Sequence, residues 1–456
     1  MPSYLADLSP QKAWLPFEPD RAQPFDRRLA AHLYRRAGFA ASARELDEAV
    51  RLGPQEAVKL LLNAGKDNSV FDDEMRSFAQ LTLAANNPEL LTSWWLHRMR
   101  HTPAPLLEKA TLFWHGHFAT SASKVRDPQI MFRQNELLRQ HALGNFGELV
   151  RGIARDPAML LYLDSATNRK VHPNENFSRE VMELFCLGVG NYSEQDIQQL
   201  ARCFTGWEIQ HGEFKFNSYQ HDYGNKNVLG KSGPFDGNEG LEIILQQPAT
   251  AQFICAKLVQ FFVADEPELP VEYIAPLAQR FRAAGLTVAP VLEAILTSRL
   301  FYSPASLGCK IRSPVELGVG LLRALDANAN LVQLTGRLRD LGQMPLYPPN
   351  VKGWNGGRTW IDSSALLGRT NLVRAIVESP ETRFGGVALD EYLDRFGLKS
   401  SAAVVDWLGE LLVAVPPSPE VRGQLIERLD RRDMPRPTAV KQLLHVLGSL
   451  PEFQLA

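Results

Sequence analysis

Much of what this chain is not can be read from what it has little of. It carries four cysteines in 456 residues, Cys186, Cys203, Cys255 and Cys309, widely spaced and without a C-x-x-C pair. That argues against a zinc or disulfide framework, so reduced structural thiols are expected. Charge of one sign is not in excess either: 49 Lys and Arg face 51 Asp and Glu, for a net charge of -2. A nucleic-acid or anionic-membrane binder would show a basic surplus, so neither partner is expected. No run of about 18 apolar residues is present, so no membrane-spanning helix is expected. The start, Met1-Pro-Ser-Tyr-Leu-Ala-Asp-Leu8, has neither the basic start nor the apolar core of a signal peptide. With the reduced thiols, this predicts a cytoplasmic protein. The glycine-rich run Gly230–Gly240 lacks the strand-to-helix context and the lysine of a phosphate-cradling loop, so no nucleotide cofactor is expected. No repeat of fixed period is present.

What is present is the composition of an ordinary globular chain, 45% hydrophobic and 22% charged, with length for a large core. The dominant periodicity is helical, which predicts a mainly α fold: a multi-helix globular body with a small β-hairpin or irregular insertion near 208–237 and a helical C-terminal appendage. The expected divisions are an extended arm over 1–25, a helical core over 26–375 and a helical subdomain over 376–456. Asp26 caps the first core helix and Gly38 stops it. The long pattern from Asp72 to His101 breaks at Asn86-Asn87-Pro88, because proline suits a helix start. Adjacent Trp94 and Trp95 predict one inward ring and one free to meet a ligand or neighbour.

The chain is organised around His172-Pro-Asn-Glu-Asn-Phe-Ser-Arg-Glu-Val-Met-Glu-Leu-Phe185. At 100° per residue, Phe177, Val181, Leu184 and Phe185 form an apolar stripe, and Asn176, Glu180 and Glu183 fall together beside it. Carboxylates at the edge of a buried face need an arginine, a metal or a substrate as partner. Glu180 and Glu183 are therefore the first catalytic candidates. Asp164, which directly follows the apolar run Pro157–Leu163, is a third at a cavity rim, or else a turn residue.

Metal candidates come from two places. His115 and His117 flank Gly116, about 200° apart on a helix, so they share a metal only if the helix ends between them. His221-Asp222 lies in a loop dense in ligating side chains. Aromatic platforms are offered by Trp207, Trp354 and Trp360, although packing is the commoner role of a tryptophan. Arg35, Arg36 and Arg179 are available to bind a substrate or to neutralise the carboxylates.

Five words, His32-Leu-Tyr-Arg-Arg-Ala-Gly-Phe39, Phe113-Trp-His-Gly-His-Phe118, Pro173–Glu180, Ala201-Arg-Cys-Phe-Thr-Gly-Trp207 and Pro348-Pro-Asn-Val-Lys-Gly-Trp354, resemble in order those of the bacterial family called domain of unknown function 1800. The resemblance spans roughly 28–375. It implies a mostly helical protein and names no activity. The inventory of residues suits three functions. In the first, His and carboxylates hold a divalent transition metal (Zn, Mn or Fe), and Glu180 or Glu183 acts as general base of a hydrolase. In the second, two carboxylates flank a glycosidic bond of a saccharide held on tryptophans. In the third, the protein is a non-enzymatic binding or scaffold protein, and Arg35, Arg36, Arg179 and Arg202 neutralise Glu175, Glu180 and Glu183 in buried networks.

Overall fold

The computed structural model describes residues 8–66, 68–266, 268–431 and 433–456. Residues 1–7 of the expected arm lie outside them. Residues 8–25 are largely extended, interrupted by one helical turn at Pro10–Ala13, and Phe17 is buried against the Tyr302 ring. Mainly α is the observed class: helices alternate with short turns, and among the described residues the strands form three two-stranded antiparallel pairs.

The centre is the helix Pro105–His117. It packs on helices Arg27–Gly38, Pro54–Asn63, Pro88–His101 and Pro128–His141. A helix surrounded on all sides is apolar all round, or pairs whatever polar groups it carries. Here Leu106, Ala110 and Trp114 are buried, and so are Glu108 and Lys109. Glu108 accepts bonds from Trp95 Nε1 at 2.9 Å, Arg98 Nε at 2.6 Å and Arg139 Nε at 2.5 Å. Lys109 is paired with Glu316 on helix Pro314–Ala324.

Local sequence accounts for most boundaries. The Asp26 carboxylate accepts from Leu29 N at 3.0 Å and starts Arg27–Gly38. Pro88 opens Pro88–His101 behind the Asn87 cap. Trp94 and Trp95 are both fully buried, contrary to expectation. Their helix is covered on two sides, and each indole N–H has a partner, Met75 O and Glu108 respectively.

The irregular segment near 208–237 contains two hairpins, Trp207–Gln210 with Glu213–Phe216 and Lys226–Val228 with Lys231–Gly233. A third pair joins Ala327–Asn328 to Arg383–Phe384. At the C-terminal end, helix Arg436–Leu447 packs on Ser363–Glu378, and Ser401–Leu412 packs on Arg27–Gly38. The last residues are tied inward: Arg312 Nε donates to Leu455 O at 2.9 Å, and Ala456 N donates to Lys310 O at 2.8 Å.

Candidate functional site

A cleft of about 540 Å³ opens where the C-terminal end of Pro105–His117 meets helix Pro248–Phe262 and the irregular loop 343–360. Its walls include Phe113, His117, Phe261, Trp354 and Trp360, with Gln260, Gln343 and Asn355 as neutral polar groups. Part of the charged lining comes as pairs, and Lys257, Glu266, Glu268 and Lys352 line the cleft as well. Lys310 meets Asp265, and Glu316 meets Lys109 behind it; all four are nearly inaccessible. Burial alone would raise the Glu316 carboxyl, but Lys109 and Lys310 overcome it and hold it at about 2. The Phe261 ring lies under both ammonium groups, 5.4 Å from Lys109 Nζ and 5.6 Å from Lys310 Nζ.

Loop 343–360 reaches the cleft because of one glycine. Gly353 has φ +74°, and a Cβ on it would overlap the Gly116 carbonyl oxygen, so only a residue without a side chain permits this approach. Trp354 follows directly. It packs against His115 with ring centroids 5.7 Å apart, and its buried Nε1 has no hydrogen-bond partner among the described residues.

The two histidines of the His-Gly-His word do different work, because the helix continues through Gly116 to His117. His115 is buried, accepts from Leu346 N through Nε2 at 3.0 Å, and holds the aromatic loop down. His117 lines the cleft and pairs through Nε2 with Phe185 O at 2.9 Å. Since a carbonyl only accepts, Nε2 carries the proton and Nδ1 keeps a lone pair. Burial depresses both imidazoles to about 3, aided at His117 by the Lys257 ammonium. Both are neutral at physiological pH.

The acidic stretch sits beside this cleft through Leu184, which lines it. Asn176–Glu180 is α-helical, and Val181–Cys186 continues as a π-helix, a form enriched at functional sites. The wider turn is visible in Leu187 N donating to Met182 O at 3.0 Å, and it leaves Phe185 O to His117. Glu180 is half-buried; burial, and then the Glu183 charge, raise its carboxyl, while Lys352 opposes them. Glu183 accepts from Tyr192 Oη at 3.2 Å. Asp164 has φ +56° and pairs with Lys124 at 2.8 Å on the surface, which is the turn role rather than a cavity rim.

The remaining candidates lie elsewhere. His221 is buried in the first hairpin region, its Nδ1 bonded to Thr205 O at 2.9 Å, and Asp222 is paired with Arg202 at 2.7 Å. Neither joins His115 or His117, and among the described residues no three His, Cys, Asp or Glu side chains gather at metal-holding spacing. Trp207 is buried between Phe204 and Phe214, so it is a packing residue and not a platform. Arg179 makes an exposed bidentate bridge to Glu194, at 2.8 and 2.7 Å, and also reaches Glu175 at 3.5 Å, the expected pairing. Arg35 and Arg36 are buried and pair with none of Glu175, Glu180 or Glu183.

Residues 32–455 match the family described as protein of unknown function, DUF1800. The chain belongs to that family. The match runs well past the 28–375 span of the recognisable words and takes in the C-terminal helices of this DUF1800 protein. No curated protein and no solved structure matches it. No helix among the described residues is long and apolar enough to cross a membrane.

The words named in the sequence do converge in part: His117, Trp354, Trp360 and the flank of the acidic helix share one region. Sequence reading missed Lys109, Asp265, Lys310 and Glu316. Glu316 also closes the cap of its own helix, since Ser313 N donates to it at 2.6 Å. The one available signal was Glu108-Lys109 inside an otherwise apolar helix face.

Proposed function

We propose that this protein binds a neutral saccharide, or a similar polyhydroxylated ring, in the cleft beside His117. The observation that carries this reading is that Trp354 and Trp360 line the cleft together with the neutral hydrogen-bonding groups Gln260, Gln343 and Asn355. Apolar ring faces of a sugar suit indole surfaces, and its hydroxyls need convergent polar partners. His117 Nδ1 offers an acceptor, and Gln260, Gln343 and Asn355 can both donate and accept. The two lysine–carboxylate pairs of the floor neutralise one another, and the other charged lining residues, Lys257, Lys352, Glu266 and Glu268, balance in sign, which favours a ligand without net charge.

Binding is favoured over hydrolysis by the state of the carboxylates. A glycosidic general acid needs a raised pKa. Glu316 is held at about 2, Asp265 is committed to Lys310 and Glu266 to Arg358, so Glu268 is the one lining carboxylate without an ion pair among the described residues, where hydrolysis needs two. Glu180 has the raised carboxyl but lies outside the cleft lining. For a metal-dependent hydrolase, the proposed ligands His115, His117, His221 and Asp222 would have to come together, and they occupy three separate environments.

Tryptophan emission titrated with neutral mono- and oligosaccharides tests the proposal. A saturable change is expected that disappears in Trp354→Phe and persists in Trp207→Phe. The absence of any saturable response across hexose, pentose and amino-sugar oligomers would refute it.

A further inference from the structure

Helix Arg27–Gly38 carries Arg28, His32, Arg35 and Arg36 at spacings of four, three and one, which places them on one face. That face is turned into the protein, against the segment 301–312. His32 Nε2 pairs with Phe301 O at 3.0 Å, and Arg36 Nη2 donates to Ser306 O at 2.6 Å. Two more arginines join it. Arg312 donates to Leu412 O at 2.8 Å and Leu455 O at 2.9 Å, and Arg369 donates to Arg312 O at 2.8 Å and Gln454 Oε1 at 2.7 Å.

All these partners are neutral. The carboxylates that bear on the cluster are Glu316 and Asp265, and each is already paired with a lysine. The charges acting on Arg35 are Arg312, Arg36 and Arg28, all positive. Arg35 is 2% exposed, and its Nε, Nη1 and Nη2 have no partner among the described residues. The same holds for Nε and Nη1 of Arg36 and Nη1 of Arg369.

An arginine does not escape this position by losing its proton. A buried ion without a counter-charge costs several kcal/mol, and a water molecule could satisfy the donors but supplies no charge. What answers both needs is an anion with several acceptor oxygens, since the guanidinium fork matches oxyanions in a bidentate manner.

We propose that Arg35, with Arg36 and Arg312, holds a buried tetrahedral oxyanion: inorganic phosphate or sulfate, or the phosphate group of a small molecule. The site lies behind the Lys109–Glu316 and Lys310–Asp265 pairs, and its assignment does not rest on saccharide binding in the cleft. A buried anion explains why five guanidinium groups can be concentrated beside only two, already paired, carboxylates.

The test uses the full chain purified in chloride buffers free of phosphate and sulfate. The protein is unfolded in guanidinium chloride, and the filtrate is analysed by ion chromatography and for total phosphorus. One equivalent of free phosphate or sulfate per chain is the expected result for an inorganic ion. One equivalent of phosphorus without free phosphate assigns the site to a phosphorylated molecule. If the protein is isolated empty, adding phosphate at constant ionic strength should raise the melting temperature by about 3 °C at one hundred times Kd. Arg35→Met should abolish retention and response together. Arg35→Lys, which keeps the charge but not the fork, serves if the first variant does not fold, and should weaken both. Substoichiometric oxyanion, together with melting temperatures equal in phosphate and chloride, overturns the proposal. So does an undiminished phosphate response in either variant.

Discussion

Replacing Glu108 by Gln separates the charge of the central carboxylate from its shape. Glu108 is fully buried and is the shared partner of Arg98 and Arg139. Glutamine keeps one acceptor oxygen but leaves two buried guanidinium groups facing a neutral amide, each retaining only a partly exposed second partner, Asp72 for Arg98 and Glu136 for Arg139. Breaking a buried ion pair by removing one partner costs about 3–5 kcal/mol. A second route gives a similar size. Burial raises the Glu108 carboxyl, but Arg139 and Arg98 more than offset this and bring it to about 2, from an ordinary 4.5. A displacement of that size corresponds to about 3 kcal/mol of linkage. Because the folded value is depressed, this stability is present above pH 4.5 and is lost as pH falls towards 2. An unfolding entropy of about 1 kcal/mol/K for a chain of this length makes the expected loss of melting temperature at pH 7 roughly 3–5 °C. Calorimetry of wild type and Glu108→Gln between pH 7 and pH 3 should show the gap narrowing only below pH 4.5. A gap under about 1 kcal/mol at pH 7, or one that widens on acidification, would refute the reasoning.

Gly353→Ala should destabilise the protein by roughly 1–3 kcal/mol and displace Trp354, since the new Cβ overlaps the Gly116 carbonyl at φ +74°. Tryptophan emission in the folded variant should shift relative to wild type, and an unchanged spectrum and melting temperature would count against the proposed approach of loop to helix. Asp156, buried at the cap of Pro157–Tyr162, is pushed up to about 7 by burial, against bonds from Ala158 N, Met159 N and Gln134. A raised folded value gives stability that is complete below the unfolded pKa near 4 and declines as pH rises through about 7. Denaturant melts of wild type and Asp156→Asn from pH 5 to pH 8 should diverge in slope, the variant being the flatter.

The fold was legible wherever the cause was local. Caps, helix-opening prolines and stopping glycines act within a turn, so Arg27–Gly38 and Pro88–His101 fall close to their expected limits. Where the cause was distant, the pattern misled. Trp94 and Trp95 read as one inward and one free ring because an isolated helix has one buried face, and this helix has two. The candidate site shows the same divide. A 100° winding correctly placed Glu180 and Glu183 on the flank of a buried stripe, but no periodicity foretells a π-helix, and it is the π-turn that leaves Phe185 O to His117. The pairs Lys109–Glu316 and Lys310–Asp265 join residues 207 and 45 positions apart, and no local spacing announces them.

These long-range pairs also explain why the cleft and the arginine face can sit back to back. Arg36 feels Asp265 first and Glu316 next, the same two carboxylates that neutralise the lysines of the cleft floor. Each carboxylate is therefore paired with a lysine while its charge also acts on the guanidinium groups. Exchanging the charge on either side changes the field on both, because at the low effective dielectric of a buried site such charges are weakly screened. An oxyanion on the arginine side would relieve the demand of Arg36 on Asp265 and leave that carboxylate to Lys310. The ligand chemistry of the cleft floor would then depend on whether the buried arginine face is neutralised, although no residue of that face lines the cleft itself.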